Sequence, residues 1–390
     1  MRSRWRYGRW MLAALIASAV DKSSLEAQGN PPHLTATREL IIDGAVADLT
    51  FITYMTVLHD GTMMVAQPED ARILYFSPSG TLSGSFGRSG EGPREFHWIA
   101  GLGWVGDTVW AWDDTQRRMT FLARGKEFLR TERFAKGMRP ARGDAKSLPL
   151  LLDIAPIAQF GNGESLRWGM AASVPQPAPW KGLLPPGATV FGRTHGDGTL
   201  TEVVAFVPST SQLCRDQRLN VAIPECAHPQ WSVAPDGSRL AVATPILRGR
   251  GAPAIRLVQV SAHGDTLLDR QYPFTPVPIT AHMADSIRAR LIKNSGPRSI
   301  AGIRAVAMPS VLAPIEEIVL GHDASVWIGL HSTGATRSWM IVDQLGELRG
   351  TVSLPEGVRV RVVDHDLIWG TSEDLDGVES IVRFRIAGRR

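Results

Sequence analysis

This sequence predicts an all-β fold, a six-bladed β-propeller with one inserted amphipathic helix between blades four and five. Three observations lead there. Short apolar runs of strand length are punctuated by Asp-Gly, Ser-Gly and Gly-Asp turns along most of the chain. The runs group into six units of one plan: strand, turn, strand, polar loop, strand, turn, strand. A single segment breaks the strand pattern. Turn pairs of this kind supply the positive φ that tight hairpins need. Repeated four-stranded units bury their faces only by stacking on one another in a ring.

The bulk properties agree. A chain of 390 residues could hold two or three ordinary domains, but repeat folds use such a length as one. At 44% hydrophobic and 21% charged it can bury a large core, and Gly 38 with Pro 26 suits many turns. The formal net charge is only +4, part of it from Arg2, Arg4, Arg6 and Arg9. No basic tract interleaved with aromatics is present, so no nucleic-acid partner is expected.

Those arginines precede the apolar run Met11–Val20 and then small residues, the three parts of an export signal. Cleavage falls after Ala19 or Ala27. The run is shorter than the roughly 20 residues of a membrane span, and no later segment is long and apolar enough to cross. The expected layout is a signal peptide over 1–27 and a single propeller over 28–390. The protein is then exported, periplasmic or extracellular, and a monomer. The two cysteines, Cys214 and Cys226, share one loop-like stretch. In an exported chain they pair as a disulfide; no further Cys or close His pair completes a zinc site.

The elements follow in order. Leu34–Leu49 alternates loosely and holds a strand at Glu39–Ile42. The first unit is Phe51–Phe86, turning at His59-Asp60-Gly61 and Pro78-Ser79-Gly80. The second is Ile99–Phe134, turning at Gly106-Asp107 and Arg124-Gly125. The third starts near Leu150, turns at Asn162-Gly163, is interrupted by the Pro-rich loop Val174–Gly187, and ends at Val207. The fourth runs from Trp231 to Tyr272 through Pro235-Asp236-Gly237 and His263-Gly264-Asp265. The fifth runs from Glu317 to Leu354, and the sixth from Val358 to Ile386. The sixth lacks a convincing fourth strand, so the N-terminal strand at about 39–42 is expected to complete it and close the ring. Between units four and five, Ile279, Met283, Ile287 and Leu291 recur every four residues until Asn294-Ser295-Gly296-Pro297 stops them. That spacing predicts a helix, packed across the ring surface or set as a lid over the channel.

One stretch resembles a known repeat. Phe86-Gly87-Arg88-x-Gly90-x-Gly92-Pro93-x-x-Phe96, then Gly101-Leu102, Trp110-Ala111-Trp112-Asp113 and Arg118-Met119-Thr120-Phe121-Leu122, is similar to the NHL-type repeat of six-bladed propellers. Arg94 and Ile99 depart from that pattern, and Gly106-Asp107 reverses its common turn. The whole chain resembles exported bacterial propellers of the NHL/TolB-like kind. The resemblance implies the fold; propellers host many functions.

In such a ring, loops between blades share a face with loops between strands two and three. That face would gather His97, Trp98, Asp113, Arg117, Trp231, His331 and Arg337, with Asp114, Arg248, Arg250, Glu373 and Asp374 near them. Trp98 and Trp231 would offer stacking surfaces, and Arg117 and Arg337 forks for a carboxylate or phosphate. The expected ligand is anionic or carbohydrate-like. Against this, loops are polar because they are wet, and Asp113 and Arg118 are turn residues of the repeat itself. His59, His263 and His322 belong to turns on the opposite face. No Ser/His/Asp order, HExxH motif, phosphate loop or EF-hand run occurs. The expected function is a non-enzymatic module binding a protein or small-molecule ligand. The alternatives are a metal-dependent hydrolase (lactonase-like) or lyase working at the central channel, and a structural envelope protein. No motif calls for a cofactor; a divalent ion such as calcium is left open.

Overall fold

Side chains close the hairpin turns as the turn residues imply. Asp60 Oδ1 accepts the Thr62 N–H at 2.9 Å, Asp236 Oδ1 that of Ser238 at 2.9 Å, and Asp343 Oδ1 that of Leu345 at 2.9 Å. Gly61 (φ 80°), Gly237 (φ 72°) and Gly346 (φ 82°) take the left-handed position beside them. The computed structural model describes residues 31–124, 126–135, 138–140, 151–171, 188–247 and 251–387. The expected export signal at 1–27, Gly125, the Pro-rich loop 174–187, Arg248 and Arg250 lie outside the described residues.

Strand β1 (His33–Ile42) opens the described chain. A first antiparallel meander joins β2 (Tyr54–Val57), β3 (Met63–Gln67), β4 (Arg72–Phe76) and β5 (Leu82–Phe86). A second joins β6 (Ile99–Val105), β7 (Thr108–Asp113), β8 (Arg118–Ala123) and β9 (Glu127–Arg133). The third sheet holds β11 (Leu151–Gln159), β12 (Ser165–Ala171), β13 (Thr189–Thr194) and β14 (Thr199–Val207), with the short β10 (Arg139–Pro140) parallel to β14. The helical turn α1 (Thr210–Leu213) and the pair β15 (Arg215–Asp216) and β16 (Val221–Ala222) follow. The next meander is β17 (Gln230–Val233), β18 (Arg239–Ile246), β19 (Ala254–Ser261) and β20 (Thr266–Pro273). Helices α2 (Ala281–Lys293) and α3 (Pro297–Ala305) come next. The last strands are β21 (Ile315–Leu320), β22 (Val326–Leu330), β23 (Thr336–Val342), β24 (Leu348–Pro355), β25 (Val358–Asp364), β26 (Leu367–Glu373) and β27 (Glu379–Ala387).

These last seven strands and β1 make one sheet of eight, ordered β21-β22-β23-β24-β1-β27-β26-β25. Expectation and structure differ here. Six units of one plan were expected; among the described residues three four-stranded sheets, one five-stranded sheet, the β15–β16 pair and one eight-stranded sheet are observed. The cause is β1, which pairs antiparallel with β27 from Thr35↔Ala387 to Ile42↔Ile381 and touches β24 in parallel at His33↔Thr351 and Leu34↔Val352.

The arrangement is propeller-like. Innermost strands meet from sheet to sheet: β2 with β6, β6 with β11, β17 with β21, β21 with β25, and β25 with β2. The core lies between sheets, not within them. One cluster packs Ile52, Met63 and Leu74 against Val362, Trp369 and Ile381, so the last strands close on the first. Others join β2–β5 to β6–β9 through Phe86 and Phe96, and β17–β20 to β21–β24 through Ile255, Leu257 and Ile328. Each such fully buried side chain stabilises by roughly 1.5–3 kcal/mol. At one end of the ring the edges of His59 and His322 both meet Trp104, at 4.7 and 5.6 Å between ring centroids. Three turns far apart in sequence thus converge there.

The helical segment begins where the periodicity places it. Thr280 caps α2, its Oγ1 accepting the Met283 N–H at 3.2 Å. The second helix, α3, begins at the Pro297 that was expected only to stop the first, because proline suits a first helical turn. Ile303 of α3 packs with Val221 of β16 and Val306. Among the described residues no helix is long and apolar enough to cross a membrane.

Candidate functional site

A β-bulge shapes a cavity at one end of the ring. Alternate residues of a strand face opposite ways, but the β21–β22 register shifts between Ile315 and Glu317, leaving Glu316 as the extra residue. Both consecutive glutamates therefore line one cavity of about 710 Å³. Its wall is built from strand ends at one end of the ring: the start of β21, the residue after β22, the starts of β23 and β25, and the end of β26. Six glutamates contribute: Glu225, Glu316, Glu317, Glu356, Glu373 and Glu379. Two arginines of the wall, Arg337 and Arg359, oppose them, and two from behind it, Arg290 and Arg361, stand 3.6 Å from Glu225 and 4.0 Å from Glu379, leaving a formal excess of two negative charges.

Arg337 is the hub. Its Nη2 pairs with Glu316 Oε2 and lies 2.8 Å from Glu356 Oε1, while Nη1 stands 3.6 Å from Glu317. His331 Nδ1 lies 3.1 Å from the other oxygen of Glu316, which holds the imidazole in one orientation. Burial pushes the Glu317 carboxyl above the ordinary glutamate range, with Arg337 and Arg361 pulling it back. Glu379 is anchored by the Ile52 N–H at 2.6 Å and stands 4.0 Å from Arg361. Burial in turn lowers the Arg361 pKa, opposed by Glu379 and Glu317. Glu373 and Arg359 make no ion pair among the described residues. Thr371, only 1% exposed, borders the cavity, and its Oγ1 has no hydrogen-bond partner; Glu356 Oε2 lacks one too.

The rim carries the disulfide. Cys214 and Cys226 are bonded, with Cα atoms 5.5 Å apart. Their loop supplies Glu225 and His228 to the wall, and Arg290 of α2 reaches Glu225 at 3.6 Å. A smaller cavity of about 350 Å³ beside the disulfide shares Glu225, His228 and Ala313 with the first. The bond agrees with an oxidising compartment.

Of the residues expected at the mouth, only His331, Arg337 and the nearby Glu373 line this cavity. His97 and Trp98 are exposed at another sheet. Asp113 is fully buried: Oδ2 accepts the His97 N–H at 2.7 Å and Oδ1 that of Gln116 at 2.9 Å, so it holds the loop. Arg117 lies over the Trp112 ring at 5.2 Å and donates to Ala135 O at 3.2 Å. Trp231 is partly buried, with the rings of Trp168 (5.8 Å) and Phe191 (4.9 Å) packed against it. Arg118 donates to the carbonyls of Glu91, at 2.8 Å, and Glu95, which pins the glycine-rich loop. Glu316, Glu317, Glu356, Arg359 and Thr371 were not anticipated. They sit at strand ends inside apolar runs, and only consecutive charges such as Glu316-Glu317 at a strand start hinted at them. A polar, aromatic-lined mouth for an anionic or carbohydrate-like ligand was expected; the wall of this cavity is rich in carboxylates. Among the described residues no three His, Cys, Asp or Glu side chains are grouped to hold a metal ion.

No family model matches the chain, and no curated protein matches it. It is similar in structure to a Bacteroides vulgatus protein of the DUF4221 family, at 8% identity and TM-score 0.45 over 92% of this chain and 98% of that one. It is also similar to regucalcin, a calcium-binding protein of Agrobacterium tumefaciens, at 10% identity and TM-score 0.40 over 93% and 98%. A third is the aldose sugar dehydrogenase of Streptomyces coelicolor in its PQQ-bound form, at 12% and 0.42 over 92% and 100%. What those descriptions name belongs to those proteins.

Proposed function

We propose that this chain is an exported six-bladed β-propeller of the NHL/TolB-like kind that binds a ligand in the cavity around Arg337, without chemistry of its own. The observation that carries the reading is the cavity itself. Its volume of about 710 Å³ falls within the roughly 300–1,000 Å³ of small-molecule sites. Six blades follow if the eight-stranded sheet is two blades, β21–β24 and β25–β27 with β1, stitched by the short parallel contact of β1 with β24. The α2–α3 insert then lies between blades four and five. A signal peptide over 1–27 and one domain over 28–390, monomeric and periplasmic or extracellular, complete the picture. The disulfide supports export.

A thermal-shift screen of chemically mixed small ligands, run beside a variant with the cavity filled, Gly357→Trp, tests the reading. Some ligand should raise the wild-type melting temperature and leave the variant unmoved. If every ligand acts equally on both, the cavity is not the site.

One observation favours the alternative of a hydrolase or lyase. His331 lines the cavity with its ring oriented by Glu316 at 3.1 Å, the geometry of a carboxylate-supported general base. Turnover of a bound ligand, lost in His331→Ala but not in binding, would select that reading over simple binding.

A further inference from the structure

We infer that the ligand of this cavity is a small organic cation carrying two or more ammonium groups, a di- or polyamine. The inference rests on the cavity being a binding site, as proposed above, and names its ligand class.

Charge is the first ground. Six glutamates line one volume against Arg337 and Arg359, and Arg290 and Arg361 reach only Glu225 and Glu379 from outside it, so carboxylates outnumber guanidiniums by two. Arg337 is already shared by Glu316, Glu356 and Glu317, and Glu373 keeps no ion pair among the described residues. An anion entering here meets uncompensated like charge; an ammonium group meets acceptors. The second ground is orphaned acceptors. Among the described residues the buried Thr371 hydroxyl and Glu356 Oε2 have no hydrogen-bond partner. Buried polar groups are costly to leave unsatisfied, and an ammonium donates up to three hydrogen bonds.

The third ground separates an organic cation from a metal ion. A calcium ion needs about six to eight oxygens converging at about 2.3–2.6 Å. These carboxylates are spread instead over β21, β26, β27 and the disulfide loop, around about 710 Å³, and among the described residues no three are grouped to hold one ion. Charge spread over a wall suits charge spread along a flexible ligand. A single ammonium would satisfy one part of the wall and leave the rest. Arg359 and the guanidinium of Arg337 limit how much positive charge the site takes, which favours two or three ammonium groups over a long polycation.

Isothermal titration of the full mature chain with spermidine, in about 0.15 M salt so that surface attraction is screened, tests this. One site per chain is expected. Glu373→Gln should weaken binding about tenfold. Thr371→Val removes a hydroxyl with no protein partner, so it should weaken binding several-fold with no loss of melting temperature. Arg337→Ala should tighten binding even as it weakens the fold, because it frees carboxylates. Equal affinity in Glu373→Gln and wild type overturns the inference. So does citrate, or a methyl glucoside, binding where spermidine does not, and that result leaves the cavity a site for another ligand. Stoichiometric magnesium or calcium that displaces spermidine also overturns it. If nothing binds, and the mixed screen finds nothing either, the reading of the cavity as a site falls first.

Discussion

Arg337 is the residue on which the cavity wall depends. Its side chain is 13% exposed and compensates Glu316, Glu356 and, at longer range, Glu317. Removing it leaves half-buried carboxylates facing one another. Arg337→Ala should lower unfolding free energy by about 2 kcal/mol, less than for a fully buried pair because water reaches the glutamates. Arg337→Lys should recover part of that, since one ammonium cannot fork between two carboxylates. Urea midpoints at neutral pH measure both, and an unchanged Ala variant would show that the cluster carries no net stability. His322 makes a second prediction, at the other end of the ring. Burial lowers its pKa; Asp364 opposes this, His59 adds to it, and Asp236 and Asp323 oppose it. Its ring packs edge-on against Trp104, and its Nε2 is buried without a partner. The folded state therefore takes up the proton at lower pH than the unfolded chain. Stability from the neutral ring is complete above about pH 6.5 and is lost as pH falls below it. His322→Gln should flatten the fall in urea midpoint between about pH 7 and pH 5. A slope identical to wild type would assign the acid sensitivity elsewhere.

Among the elements, the disulfide loop and the helix pair act as one rim. Gly302 of α3 stands so near Val221 that a Cβ there would lie 2.6 Å from its Cγ1, and Arg290 reaches Glu225. The bond between Cys214 and Cys226 closes a short loop, which in the chain-entropy account is worth about 3 kcal/mol. Replacing both cysteines with serine should lower stability by about that amount, seen first as protease cleavage within 210–228. Cleavage confined to other loops would place the rim outside the bond's influence. Here the limits of reading a sequence are physical. The hairpin turns were legible because Asp-Gly and Ser-Gly pairs carry their own backbone geometry. The disulfide was legible because only two cysteines exist. The α2 helix was legible from its period, and α3 was not, since Pro297 marks both a stop and a start. The bulge at Glu316 has no local signature; it appears only when two strands are paired, and it turns an ordinary strand start into the cavity wall.

At the scale of the whole molecule, β1 is the seam. It pairs with β27 from Thr35↔Ala387 to Ile42↔Ile381 and also bridges to β24. Removing residues through Gly44 should lower the melting temperature by more than about 10 °C, because it bares the edges of β27 and β24. Removing residues through Pro32 keeps β1 and should cost far less. Equal melting temperatures for the two truncations would deny β1 any role in holding the molecule shut. The ring was legible from the repeated turns. Which residues line a common cavity was not: His331 and Arg337 share one wall, whereas Trp231 looked equally suited and is partly buried against Trp168 and Phe191. Nothing in the residue itself separates a tryptophan that faces water, such as Trp98, from one such as Trp231 that a neighbouring sheet partly covers.

The seam also sets a clock. Glu39 and its partner Arg385 are 346 positions apart. At about 5–20 residues per second, a ribosome needs roughly 17 to 70 s to make the second after the first. Until β24 is made, 318 positions after His33, the earliest strand has nothing to pair with, and until β27 follows the finished sheets stand as an open arc with two raw ends. The molecule cannot lock shut on itself while it is being made. A chain bound for another compartment has, in that delay, time to be drawn through a narrow pore before its last strand snaps it closed.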